Sequence, residues 1–135
     1  MASLADQDQG RILTRLRANP VIKRMAADLA AAPLGEMAEP DGSPRFAFVM
    51  SMNAQFRRIE AANAGNERYT PDEGPRYREA IAEAVLAERA AMRAAWTGLL
   101  GGVEDESAIT EVIERIRNRE DSRQVVADIM ARFAA

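Results

Sequence analysis

Residues 44–65 read PRFAFVMSMNAQFRRIEAANAG, and the fold class turns on how that stretch is read. Phe46, Phe48, Met50 and Met52 alternate as the inward face of a strand would. The same stretch also carries Phe46, Val49, Met50, Asn53, Phe56 and Glu60 at helical spacing, with Phe48, Met52, Phe56 and Ile59 on a second helical stripe. Downstream, QFRRIEAANA is rich in helix formers, and Gly65 suits the residue just past a helix end. The balance predicts a helix over 44–64, apolar on most sides and therefore central in a bundle.

Working outward, proline marks the other helix starts. Asn19-Pro20 reads as an N-cap followed by proline at the first helical position, where a missing N–H costs nothing. It opens a helix over 20–32 with stripe Ile22, Met25, Ala26 and Leu29, closed by Pro33. Before it, Ser3 caps a first helix over 3–18, interrupted at Gly10, with Leu4, Ile12, Leu13 and Leu16 inward. Residues 33–43, with their prolines and glycines, read as a flexible connector that Leu34 and Met37 can tack to the core, and Ser43-Pro44 repeats the cap-and-proline start. A second connector spans 65–74, where Thr70-Pro71 has a capping pattern that Pro75 would soon interrupt.

The long helix then runs over 75–97 with stripe Tyr77, Ile81, Val85, Glu88, Met92 and Trp96, ending at Gly98. Ile109, Val112, Ile113 and Ile116 define a helix over 106–118, and Asp121 with Gln124 forms a capping box for the last, 121–134. The sum is an all-α, single-domain bundle of about six helices across residues 1–135.

Function is bounded mainly by what is missing. The chain has neither cysteine nor histidine. Thiolate nucleophiles, cysteine and imidazole metal sites and Ser-His-Asp chemistry are therefore closed to it. No cofactor is implied. Seventeen of its eighteen basic residues are arginine and 27 of 135 residues are alanine, a bias that points to a GC-rich, bacterial genome. The net charge is −3, and residues 104–135 carry five basic against eight acidic groups, so neither nucleic acid nor an anionic membrane is an expected partner. MASLADQDQG lacks the features of a signal peptide, and no apolar run is long enough to span a bilayer. A cytoplasmic location is the expectation.

Candidate binding residues come from four places. Phe46, Phe48, Met50, Met52 and Phe56 would line a partner groove or a small-ligand pocket, unless they are simply core. Asn53 and Glu88 are polar positions on apolar stripes, and Glu88 would pair with an arginine, since a metal site of facing glutamates lacks its usual histidines. Arg57, Arg58, Arg68, Arg76 and Arg78 flank the 65–74 connector with Tyr69 and Tyr77. They would make an anion site if they converge, or salt bridges with the acids interleaved among them. Trp96 closes the long helix. These residues favour a non-enzymatic helical interaction module, a small regulator, adaptor or assembly factor that self-associates or docks on a protein. The alternative is a small-molecule-binding bundle, or an enzyme independent of His and Cys, with a Met/Phe-lined pocket.

Overall fold

The computed structural model describes the backbone of residues 4–64 and 74–134, and the side chains of 10–62 and 77–134. The expectations placed on Ser3, Gly65, Tyr69 and Thr70-Pro71 lie outside the described residues. Six α-helices follow in order: α1 (Leu4–Ala18), α2 (Pro20–Asp28), α3 (Phe46–Ala64), α4 (Gly74–Leu99), α5 (Glu106–Arg117) and α6 (Ser122–Phe133). One short 3₁₀ turn, Leu34–Glu36, sits between α2 and α3. The chain is all-α, and residues 46–52 are helical.

The centre of the bundle is α4, which corrects the expectation that α3 would hold that place. α1, α2 and α3 each pack on α4. Its alanines explain why. Ala80, Ala82 and Ala84 are fully buried beside Ile81 and Val85, and such small side chains let neighbouring helices approach from several directions at once. α3 contributes one stripe to this main core, Phe48, Met52 and Phe56, while Phe46 and Met50 point outward. Fully buried side chains such as Phe56 and Ile81 each contribute about 2 kcal/mol of hydrophobic stabilisation.

A second core forms at the far end of α4. Leu100 packs there with Ile109, Val112 and Ile113 of α5, Val125 and Ile129 of α6, and Ala30 just beyond α2. The 26 residues of α4 make a rod about 39 Å long that serves both cores.

Local signals place most helix ends. Asn19, Asp105 and Asp121 cap α2, α5 and α6 through side-chain oxygens that accept from Val21, Ala108 and Gln124 backbone N–H groups. The box at Asp121 is only half made, because the Gln124 amide donates to Asp128 instead. Gly10 does not interrupt α1. Pro44 does not open α3. It pairs in an isolated bridge with Ala38, Met37 is buried, and the Arg45 N–H donates to the Met37 carbonyl, so 33–45 is a folded connector rather than a loose linker.

α2 ends at Asp28, four residues earlier than the apolar pattern predicts. α4 runs through Gly98 to Leu99, and its end is made by the next two glycines. Gly102 N–H reaches the Thr97 carbonyl at 2.9 Å and Gly101 N–H reaches the Gly98 carbonyl at 3.1 Å, with both glycines at positive φ (94° at Gly102 and 70° at Gly101). This is a Schellman turn. α5 ends in the same way, with Glu120 N–H on Arg115 and Arg119 N–H on Ile116. There the left-handed position is held by an arginine, Arg119, at φ 64°.

Two buried arginines, absent from the predicted stripe, join the pieces. Arg89 Nε donates to the Leu29 carbonyl at 3.2 Å and its Nη2 to Ala32 at 2.6 Å. Arg93 Nη1 donates to the Ala30 carbonyl at 2.8 Å and to Thr110 Oγ1 at 3.2 Å, while Nη2 takes the Glu106 carbonyl at 3.0 Å and ion-pairs with the Glu106 carboxylate. Arg117 of α5 adds a hydrogen bond to the Ala27 carbonyl. The end of α2 is thus finished by guanidinium groups from α4 and α5. Burial, and then the like charge of Arg93, lower the pKa of Arg89, with Glu106 opposing.

Two outcomes are expected in urea unfolding. Arg93→Leu strands the buried Ala30 carbonyl and removes the donor to Thr110 and Glu106, which lowers stability by about 3 kcal/mol, and Arg93→Lys fails to restore it because an ammonium cannot fork between them. Arg119→Gly relieves the left-handed strain and raises stability by about 1 kcal/mol, with no change in helical content.

Candidate interaction surface

The last turns of α4, from Ala94 to the end of the helix, contain no charged side chain. Leu99 and Leu100 are adjacent, and neighbours on a helix point about 100° apart, so one core cannot take both. Leu100 is 1 % exposed in the second core, and Leu99 is left 61 % exposed. On α6, Val125 and Ile129 are buried while Met130 is 41 % exposed. Between these two outward faces lies a groove of about 410 Å³, lined by Trp96 and Leu99 on one side and Ser122, Arg123, Val126, Ala127 and Met130 on the other. The Met130 side chain lies against the Gly101 turn, where a Cβ would sit 3.2 Å from its Cε. Arg123 is the single charged residue in the lining.

Three acids of this half of the molecule, Glu111, Glu120 and Asp128, are engaged elsewhere. Arg132 takes both oxygens of Glu111 at 2.8 Å, and Arg115 reaches Glu120 at 2.9 Å and Asp128 at 3.1 Å. Hydrogen bonding from Arg132, with help from Arg115, holds the Glu111 carboxyl below its ordinary value. Gln124 and then Arg115 do the same for Asp128. This lattice ties α5 to α6 through partly exposed side chains.

The residues singled out in the sequence do not form one site. Phe48, Met52 and Phe56 are core. Phe46, 79 % exposed, and Met50 line a second, smaller groove of about 290 Å³ with Pro44, Val49, Arg78 and Glu79. Glu88 pairs with Arg17 at 2.9 Å, tying α4 to α1. Asn53 accepts from Arg57 Nε at 3.0 Å, and the Arg57 guanidinium lies 5.9 Å from the Tyr77 ring centroid. Arg58 is exposed, and Arg78 belongs to the second groove. Tyr69, Arg68 and the side chain of Arg76 lie outside the described residues. Trp96 alone of the predicted set reaches the larger groove. Leu99, Arg123, Val126 and Met130 were not among the predicted site residues.

Among the described residues, no cluster of three or more acidic side chains could hold a metal ion, and no helix is long and apolar enough to cross a membrane. No protein-family model, curated protein or solved structure matches this chain. Its surfaces have to be read on their own chemistry.

The carboxylate lattice makes a pH prediction. Glu111 and Asp128 have folded pKa values below their ordinary values of 4.5 and 3.8, so they stabilise the fold above those values and lose that contribution as pH falls through the depressed ones. Melting curves of Arg115→Gln should therefore show a penalty near pH 6 that shrinks toward about pH 3. A penalty independent of pH would mean that Arg115 acts through packing alone.

Proposed function

We propose that this chain is a protein-interaction module rather than an enzyme, a small bacterial regulator, adaptor or assembly factor of the cytoplasm that associates with itself. The observation that carries this reading is the apolar groove between the end of α4 and α6. Leu99 and Met130 stand exposed beside half-buried Trp96 and Val126, and contiguous apolar surface of this kind marks interaction sites. The side chains are of the right type as well: Trp, Met and Arg are enriched where interfaces concentrate their energy, and Leu99 offers a projecting apolar knob. The absence of acidic groups from the lining lets an apolar surface dock without stranding a carboxylate.

A second copy is the proposed occupant. The same surface then supplies both groove and knob, as a two-fold contact requires. Sedimentation velocity over a wide range of concentration tests this. The wild-type chain is expected to sediment as an oligomer, and Leu99→Glu with Met130→Glu as a monomer of unchanged helical content. A wild-type chain that stays monomeric at the highest concentration reached would sink self-association.

A further inference from the structure

Three arginines are buried among the described residues, Arg57, Arg89 and Arg93. The fold treats them unequally. Arg89 and the terminal nitrogens of Arg93 are directed at carbonyl, hydroxyl and carboxylate oxygens of this chain. Arg57 has a single acceptor, Asn53 Oδ1, on its Nε. Its Nη1 and Nη2 are both buried and neither has a hydrogen-bond partner.

A guanidinium removed from water normally has its donors filled, by protein, ordered water or an ion. The acid nearest in sequence does not fill them. Glu60, one turn further along α3, accepts instead from the Asn19 side chain at 3.1 Å. What Arg57 does have is the Tyr77 ring, and Tyr77 also lines a pocket of about 210 Å³ with Ile12, Arg15, Leu16 and Asn19. No carboxylate lines that pocket, and Arg15 has no ion-pair partner among the described residues.

We propose that the Tyr77 pocket between α1 and α4 binds a small oxyanion, a carboxylate or a phosphate, with Arg15 at its wall and Arg57 as the buried cation behind the ring. The two terminal nitrogens of Arg57 present the fork that matches two oxygens of such a group. Tyr77 is the shared element, lining the pocket and lying 5.9 Å from the guanidinium, so direct contact of Arg57 with the anion requires the ring to turn aside. This inference is independent of the self-association reading, since the pocket shares no lining residue with the α4–α6 groove.

Thermal unfolding tests it, in potassium phosphate and in sodium succinate, each against chloride at equal ionic strength. One or both anions are expected to raise the wild-type melting temperature by several degrees at millimolar concentration, and the stronger one identifies the headgroup. Arg57→Met should melt higher than wild type in chloride, because a buried charge with two unfilled donors is gone, and should lose the anion response. Arg15→Gln, an exposed change that leaves the core alone, should weaken apparent anion affinity at least tenfold in a calorimetric titration. A wild-type melting temperature equal in all salts overturns the proposal. So does an anion response that persists undiminished in Arg57→Met, or in Arg15→Gln if Arg57→Met does not fold.

Discussion

A helix of nine residues ends inside this protein, and its last carbonyls and those just beyond it, only some of which receive a backbone N–H, turn toward neighbouring helices; the arrangement of the whole chain depends on how those carbonyls are met. Leu29, Ala30 and Ala32 receive Arg89 and Arg93 from α4, and Ala27 receives Arg117 from α5. A helix C-terminus carries partial negative charge, so the match is electrostatic as well as geometric. Because Arg93 also holds Glu106 and Thr110 of α5, one side chain fastens α4 and α5 to the segment just after α2. Arg93 lies on α4 between Met92, which packs on the first core, and Trp96, which packs on the second. Apolar packing alone would leave the α5–α6 hairpin attached to the rest mainly through the last turns of α4.

Much of the fold is legible in the sequence because its signals are local. Asn19-Pro20 and Asp121 cap as their chemistry predicts, and the three-and-four spacing of Ile109, Val112 and Ile113 identifies a buried face without help from anything distant. The failures are equally specific. α3 looks central because Phe and Met crowd it, yet a count of apolar residues says nothing about who surrounds whom. α4 looks less apolar but is rich in alanine, and close approach by several helices rewards small side chains more than large ones. Pro44 resembles a helix start, but the Ala38 bridge and the buried Met37 claim it for the connector first.

The sites were harder to read, for a related reason. Arg89 and Arg93 continue the four-residue spacing of Ile81 and Val85, a pattern visible in the sequence. Charge argued against burial, and the acceptors that make burial tolerable are backbone atoms about sixty residues away. The exposure of Leu99 also had a signal, since two adjacent leucines at a helix end cannot share one core. The Met/Phe stretch divides by simple geometry: Phe48, Met52 and Phe56 fall on one side of α3, Phe46 and Met50 on the other. Alternation in the sequence thus marked an inner and an outer face of a helix, not of a strand.

The joint at the end of α2 has one more consequence, for how the chain can vary. Its acceptors are main-chain oxygens, which every amino acid supplies. Positions 27, 29, 30 and 32 can therefore exchange side chains, within the space their packing allows, without losing what the arginines hold. Substitution at the donors has no such freedom. The bonds from Arg89, Arg93 and Arg117 to those four carbonyls would leave no paired signature in a set of diverging sequences, since one partner in each has no side chain to change.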